Sequence, residues 1–247
     1  MNKIKIALVS YINTIPFTEA IKTSPELKGK VELIEDYPAK CAELIKNKQV
    51  DGGLIPLGAL HEVSDMEIMT NYCIGANGAV DTVAIFSNQE LQDIKTIYLD
   101  YQSRTSAQLI QILAQKYWKQ KFIFLPTQEG FENSIPKNSA ILIIGDRVFE
   151  YEHNYKYKID LSEEWKKHTS LPFVFALWVG NKKFKTIESE LNNSFLKSLS
   201  DIPRLYHNLL TINQNTFVNY LSHKIDYIMD NKKREAIRLF TRLKDYR

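Results

Sequence analysis

The sequence Ile4-Lys5-Ile6-Ala7-Leu8-Val9 is followed at once by Ser10-Tyr11-Ile12-Asn13-Thr14-Ile15-Pro16-Phe17. The first run is short and apolar, which predicts a buried strand. Pro16 favours the first turn of a helix, because its fixed φ suits that position and its missing N–H is not needed there. Ligands of open α/β sheets bind at the carboxyl ends of strands. The uncharged polar turn between strand and helix therefore predicts either a small-ligand site or an ordinary capped βα turn.

The composition is that of a globular chain without a membrane segment. Of its 247 residues, 44% are hydrophobic and 25% are charged, which is enough for one large core or two modest ones. No window approaches the roughly 18 apolar residues of a membrane span, and we recognise no secretory signal before the first strand. We expect a cytoplasmic protein with no membrane partner. Cys41 and Cys73 fit no metal or redox spacing, so we expect reduced, partly buried thiols and no metal site.

Basic residues are concentrated towards the C-terminus. Residues 181–247 carry 13 Lys and Arg against 7 Asp and Glu. They lie along predicted helical faces, for example at Lys232, Arg234 and Arg238, without the interleaved aromatic residues that nucleic-acid surfaces use. We therefore expect a solvated helix surface and no nucleic-acid partner.

Strands and helices alternate through the first 180 residues. Apolar runs predict strands at Ile4–Val9, Val31–Glu35, Gly53–Ile55, Glu67–Tyr72, Val80–Phe86, Thr96–Leu99, Phe122–Leu125, Ala140–Ile144, Tyr155–Ile159 and Phe173–Val179. Helical spacing and the position of Pro38 predict helices over Pro38–Asn47 and Ser103–Trp118. The pattern from Lys185 to Tyr246 predicts two or three amphipathic helices and nothing else.

This order predicts an α/β protein of two lobes with a helical C-terminal segment. The chain would cross between the lobes in the runs Val80–Phe86 and Pro172–Val179. The first lobe would then hold residues 1–82 plus 176–247, and the second would hold residues 83–175. Such an arrangement is expected to place a ligand cleft between the lobes, where hinge motion can close over the ligand.

Two further segments carry polar residues at the ends of predicted strands. Ser103-Arg104-Thr105-Ser106 opens a long helix, so its hydroxyl and N–H groups can accept an anion, with Arg104 as a charge partner. The same residues would also cap the helix. Asp146 and Arg147 follow another strand, where they can contact a ligand or simply pair and cap.

Five segments that occur in a fixed order resemble the chorismate dehydratase family of the futalosine route to menaquinone. These segments are Ser10–Pro16, Asp51–Pro56, Ser103–Ser106, Ile144–Arg147, and Asp160–Trp165 together with Thr169–Ala176. The resemblance spans residues 4–178, and the tail around Tyr220–Leu243 is also similar. It implies the fold of type 2 periplasmic binding proteins. It also implies removal of water from chorismate to give 3-[(1-carboxyvinyl)oxy]benzoate, without a metal or an organic cofactor.

The resemblance also implies roles for individual residues. Asn13 and Thr82 would be catalytic, and the residues that bind substrate would be Ser10, Tyr11, Ser103, Arg104, Thr105, Ser106 and Asp146. Asn13 can both donate and accept a hydrogen bond, so it can orient a substrate group without adding charge. The family usually has Ser where this chain has Thr82, so the hydroxyl is kept. Ser162 and Ser170 stand where the family usually has Gly, so the backbone at those turns is expected to differ.

The reaction needs donors around an anion, and it needs a base. The C3 hydrogen of chorismate is acidified through the diene conjugated to the ring carboxylate, so charge develops there as the proton leaves. None of the five His residues lies in the matching segments, and Asp51, Asp100 and Asp146 sit at element ends where capping is common. We hypothesise that the substrate's own enolpyruvyl carboxylate takes the proton.

Other functions are compatible with the same fold. A non-catalytic binding protein for a small carboxylate would share it, but we recognise no secretory signal. A transcriptional regulator would need a helix-turn-helix segment, and the sequence begins directly with a strand. The related 1,4-dihydroxy-6-naphthoate synthase would open with an Asn-Asp pair, whereas this chain has Tyr11-Ile12-Asn13-Thr14.

Overall fold

The structure is a computed structural model that describes residues 3–133, 135–207 and 211–245. The described strands are β1 (Ile4–Val9), β2 (Val31–Asp36), β3 (Gly52–Pro56), β4 (Glu67–Ala76), β5 (Val83–Ser87), β6 (Thr96–Leu99), β7 (Ile123–Pro126), β8 (Ser139–Ile144), β9 (Tyr157–Asp160), β10 (Phe173–Gly180) and β11 (Asp226–Ile228). The described α-helices are α1 (Ile15–Thr23), α2 (Pro38–Lys46), α3 (Thr105–Ile112), α4 (Arg147–Tyr151), α5 (Leu161–Thr169), α6 (Lys182–Lys185), α7 (Glu188–Leu199), α8 (Gln214–Asn219) and α9 (Asn231–Asp245).

The chain divides into two compact units, each built around one sheet. The first unit consists of Met1–Gly75 and Val174–Asn231, and the second of Ala76–Phe173 and Lys232–Arg247. These bounds differ from the predicted lobes, 1–82 plus 176–247 and 83–175, most clearly at the last helix. That helix groups with the second unit because the Phe240 ring packs 5.5 Å from Phe173 and 6.3 Å from Trp165, centroid to centroid.

The six-stranded sheet of the first unit has the order β11-β4-β10-β3-β1-β2. β1 is buried between parallel β2 and β3, as its apolar run predicts. β3 runs parallel to β1, with Gly53 opposite Ala7, and a Cβ on Gly53 would lie 2.2 Å from the Ala7 carbonyl oxygen, which explains the glycine. α1 begins at Ile15 with Pro16 in its first turn, and its Phe17 ring packs 5.5 Å from Trp178. The predicted strand, polar turn and helix of residues 4–17 are therefore confirmed.

The five-stranded sheet of the second unit has the order β7-β6-β8-β5-β9. β6 runs parallel to β7 and β8, whereas β5 is antiparallel to β8 and β9. Its core includes Ala84, Phe86, Ile141, Ile143 and Val148. Because parallel strands end at the same edge of a sheet, the residues that follow β6 and β8 come together.

The predicted strand Val80–Phe86 is shorter in the structure, because β5 begins only at Val83. The N–H groups of Val80 and Asp81 donate to the Asp160 carboxylate at 3.0 and 2.7 Å instead of joining a sheet. Asp81 also has a φ of 68°, which is incompatible with a regular strand.

The prediction that Lys185–Tyr246 is helical and nothing else is wrong. β11 lies in this region and pairs with β4, where Asp226 faces Gly75 and Ile228 faces Tyr72. A π-helical turn over Tyr220–Lys224 also follows α8. The end of the predicted region, Tyr246, lies outside the described residues. Among the residues that the structure describes, no helix is both long and apolar enough to span a bilayer.

Candidate functional site

The hydroxyl group of Thr14 stabilises the turn that follows β1. Thr14 is buried, and its Oγ1 lies 2.5 Å from the Val9 carbonyl oxygen and 2.8 Å from that of Tyr11. The Tyr11 N–H in turn donates to Thr14 Oγ1 at 3.4 Å. Thr14 therefore fixes the turn, which leaves Ser10 exposed and Tyr11 half-buried at the carboxyl end of β1.

Asn13 in this turn contacts two buried tyrosines from the far end of the chain. Asn13 Nδ2 donates to Tyr220 Oη at 3.3 Å, and Tyr227 Oη donates to the Asn13 carbonyl oxygen at 2.9 Å. Burial raises the pKa of Tyr227 well above its ordinary value, with a further rise from nearby Tyr220. Tyr227 is therefore a neutral hydrogen-bond donor, and the contacts of Asn13 are between uncharged groups.

The start of α3 is a capped helix end with buried hydroxyl groups. Ser103, Thr105 and Ser106 are all buried, and Ser103 Oγ accepts the Ser106 N–H at 3.0 Å. Arg104 is half-buried and already has helical φ and ψ angles of −89° and −44°. The capping role that the sequence left open is therefore present at Ser103, where the hydroxyl proton is still available for donation.

A buried ion cluster adjoins this helix start, and the sequence analysis did not predict it. Arg147 lies between Asp100 and Glu132, with 2.5 Å from its Nη2 to Asp100 Oδ2 and a bond from its Nη1 to Glu132 Oε1. Asp100 also accepts the N–H groups of Gln102 and Ile144, each at 2.9 Å. Burial raises the pKa of Asp100, while Arg147 acts in the opposite direction.

This cluster fixes the loops at the strand ends of the second sheet. Asp100 follows β6 and Arg147 follows β8, and these strands are neighbours. The Ser103 N–H donates to the Asp100 carbonyl oxygen at 3.1 Å, so the cluster is connected directly to the start of α3. The Arg147 guanidinium also lies over the rings of Tyr101 and Phe131, 5.2 and 5.9 Å from their centroids. The sequence contained one signal for this cluster, namely a carboxylate (Asp100) and an arginine (Arg147) that each follow a predicted strand.

Thr82 and Asp146 lie at the same edge of the second sheet. Thr82 is buried, and its carbonyl oxygen accepts the Gly145 N–H at 2.9 Å. Asp146 is half-buried at the start of α4 and makes no side-chain cap of that helix. The sequence left open whether Asp146 and Arg147 contact a ligand or pair within the protein. In this structure Arg147 pairs within the protein, with Asp100 and Glu132.

Asp160 begins one of the five matching segments, but the sequence analysis assigned no role to it. Its carboxylate accepts four backbone N–H groups, from Val80 and Asp81 on one oxygen and from Ser162 and Glu163 on the other. Burial raises its pKa to about 6, although the four N–H groups favour the ionised form. Asp160 therefore ties the start of α5 to the segment that leads into Thr82.

The sequence-predicted residues thus form two groups. Ser10, Tyr11 and Asn13 share the turn after β1 in the first unit. The second group lies in the second unit and consists of the start of α3, Thr82 and Asp146. In that unit the ion cluster fixes the loops that follow β6 and β8. Within residues 3–133, 135–207 and 211–245, no set of three His, Cys, Asp or Glu side chains is arranged to hold a metal ion. Cys41 and Cys73 form no disulfide and are fully buried, whereas the sequence predicted partly buried thiols, and burial raises the pKa of Cys41 to about 12.

Solved structures establish the class of fold. Protein AF1704 from Archaeoglobus fulgidus matches with a TM-score of 0.78 and 13% identity, over 99% of this chain and 97% of that chain. The alkanesulfonate-binding protein SsuA from Xanthomonas axonopodis pv. citri, bound to MOPS, matches at 0.65 and 9%, over 99% and 91%. The Candida albicans CA3427 gene product, described as having the generic periplasmic binding protein fold, matches at 0.64 and 10%, over 98% and 90%. The chain is an α/β protein of the periplasmic-binding-protein-like class, as predicted.

The family is established by sequence. The model of the menaquinone biosynthesis family matches residues 4–245, so this chain belongs to that family. The five segments indicated a resemblance to the chorismate dehydratases of menaquinone biosynthesis, and the family match confirms it. The chain is a protein of menaquinone biosynthesis.

Proposed function

We propose that this protein is a carbon–oxygen lyase that removes water from chorismate to give 3-[(1-carboxyvinyl)oxy]benzoate. The observation that carries the proposal is the family match over residues 4–245. The neutral donors and acceptors at Asn13 and at the start of α3 support it, because dehydration of a dianion needs oriented dipoles around the developing charge.

In the proposed reaction, the C3–H and C4–O bonds break and the ring becomes aromatic. The C3 proton goes to the base and the C4 hydroxyl departs, so the net loss is one molecule of water and the step needs no oxidant, metal or organic cofactor. The electrons of the C3–H bond move into the conjugated ring system as the hydroxyl departs. The ring carboxylate then gains negative charge in the transition state, which N–H and O–H donors stabilise.

We assign the chain's own residues as follows. Asn13 orients the substrate through its amide, and the Thr82 hydroxyl assists at the reacting centre. Ser103, Arg104, Thr105 and Ser106 bind a carboxylate at the start of α3, where helix N–H groups favour an anion. Ser10, Tyr11 and Asp146 complete the substrate contacts in this proposal.

The base in this proposal is the substrate itself. Of the two catalytic candidates, Asn13 and Thr82, neither can accept a proton near neutral pH. In the second unit, the carboxylates of Asp100 and Glu132 are both hydrogen-bonded to Arg147. We assign proton abstraction to the enolpyruvyl carboxylate of chorismate, the hypothesis of the sequence analysis, and we assign Asp146 to substrate contact and not to the role of base.

The decisive test is incubation of the purified protein with chorismate, followed by mass spectrometry. We expect a product lighter than chorismate by one molecule of water. Asn13→Ala should slow its formation, and Asn47→Ala is a matched control because Asn47 is exposed in the same unit. Absence of this product with the parent protein would refute the proposal.

The main alternative is a non-catalytic binding protein for a small carboxylate. The alkanesulfonate-binding relative of known structure favours it at the level of fold only. Calorimetric binding of chorismate without any change in its mass would support that alternative. A product formed from another pathway intermediate, but not from chorismate, would instead support 1,4-dihydroxy-6-naphthoate synthase. A cytoplasmic location is part of our proposal, and cell fractionation tests it.

A further inference from the structure

Asn13 is a candidate catalytic residue that the hydroxyl groups of two tyrosines contact. It lies in a short 3-10 turn, is half-buried, and contacts Tyr220 through its side chain and Tyr227 through its main chain. These tyrosines follow Asn13 by 207 and 214 residues. The fold thus brings two distant phenols to one amide residue within the first unit.

The two tyrosines are themselves rigidly held. Tyr220 is 2% exposed and opens the π-helical turn Tyr220–Lys224, which its carbonyl oxygen closes by accepting the Ile225 N–H at 3.1 Å. Such π-helical turns are often found at functional sites, because the extra residue redirects a side chain. Tyr227 is 6% exposed, and its ring packs edge-on against Phe17 with centroids 5.4 Å apart.

The two contacts differ in what they control. The bond from Tyr227 fixes the main chain of Asn13, and therefore the position from which its side chain starts. The bond to Tyr220 Oη restrains the plane and position of the Asn13 amide, because it gives the side chain a fixed partner inside the protein. With one N–H given to Tyr220, the amide retains its second N–H and Oδ1 for a ligand.

We infer that Tyr220 and Tyr227 are positioning residues that set the orientation of the Asn13 amide towards chorismate, an inference that rests on the proposed dehydratase function. Tyr227 does not act as a base in this role, since burial raises its pKa well above the ordinary value. Their contribution is geometric. A displaced amide would no longer meet the reacting groups at the distance and angle that the transition state needs.

Tyr220→Phe tests this directly, because it removes only the hydroxyl oxygen that receives the Asn13 N–H. We expect kcat for chorismate dehydration to fall about ten- to a hundredfold, with KM changed about twofold or less. Tyr227→Phe should also lower kcat, since it removes the hydrogen bond to the Asn13 carbonyl oxygen. Tyr206→Phe is the matched control, because the Tyr206 hydroxyl donates to the Ile212 carbonyl oxygen in the same unit and has no part in the proposed site.

A double-mutant cycle separates positioning from a general structural effect. If Tyr220 acts through Asn13, Tyr220→Phe should have almost no effect on kcat in an Asn13→Ala background. Equal losses in both backgrounds, or a kcat for Tyr220→Phe equal to that of Tyr206→Phe, would overturn the inference while leaving the dehydratase function intact. A parent protein that does not dehydrate chorismate would overturn both. Melting temperatures of all variants identify any that fail to fold, and Tyr227→Phe then provides the same test.

Discussion

Replacing Arg147 with methionine should destabilise the second unit strongly. In the structure the side chains of Asp100 and Glu132 are 0% and 4% exposed, and that of Arg147 is 21% exposed. The change would leave two buried carboxylates without their shared cation. Removing one partner from a buried ionic cluster costs about 3–5 kcal/mol of unfolding free energy. For a chain of this size, that corresponds to a melting temperature lowered by roughly 6–20 °C.

The loss in Arg147→Met should also grow with pH. Burial already raises the pKa of Asp100 in the parent protein, and Arg147 opposes that rise. Without Arg147, the pKa of this carboxyl rises further. A carboxyl whose folded pKa exceeds its unfolded pKa contributes stability that is fully present below the unfolded value and is lost as pH rises through the folded value. The deficit against the parent protein should therefore be larger at about pH 8 than at about pH 5.

Thermal and urea unfolding at both pH values provide the assay, with Lys158→Met as a matched control. Lys158 forms a more exposed pair with Glu152 at 2.7 Å in the same unit, and losing such a pair costs about 1 kcal/mol or less. The reasoning is refuted if Arg147→Met loses no more stability than Lys158→Met. It is also refuted if the deficit shrinks as pH rises.

Three further predictions concern single side chains. Asn13→Ala should lower kcat about a hundredfold, the effect of losing one aligned donor, whereas a purely structural cap would cost about 1 kcal/mol with turnover intact; rate and melting temperature measured on one sample distinguish these. Ser103→Ala should weaken chorismate binding in calorimetry about tenfold or more, because a hydrogen bond to a charged group contributes about 1.5–3 kcal/mol; unchanged affinity with a lowered melting temperature would leave Ser103 as a cap only. Asp160→Asn should lower the unfolding free energy by about 1–3 kcal/mol, since its amide nitrogen would face backbone N–H donors; an equal loss in the exposed control Asp93→Asn would contradict this.

Local patterns were sufficient for most of the fold. The apolar run at residues 4–9, the helix starts at Pro16 and Pro38 and the alternation of elements are all determined by neighbouring residues, so the sequence predicted them correctly. β11 could not be predicted in this way. It is three residues long and exists because Asp226 and Ile228 pair with β4, about 150 residues earlier in the chain.

The same distinction applies to the candidate site. Polar segments at strand ends can be recognised from the sequence, and those after β1, β6 and β8 were. The contacts that define their roles join residues far apart in the chain, as Arg147 does with Asp100 or Asn13 with Tyr220. Such pairs depend on which strands are neighbours in the finished sheet, and no local pattern of one sequence contains that information.

Capping and ligand binding were treated as alternatives for these polar residues, but their chemistry allows both at once. Ser103 caps α3 with an oxygen lone pair, and its hydroxyl proton can still be donated to an anion. Asn13 gives one N–H to Tyr220, and its other N–H and its oxygen can still meet a substrate. Each group is thus oriented by one part of its hydrogen-bonding capacity and can act through the remainder. Because this orientation exists before substrate arrives, little reorganisation is needed as charge develops in the transition state, which is the condition for effective electrostatic catalysis by neutral groups.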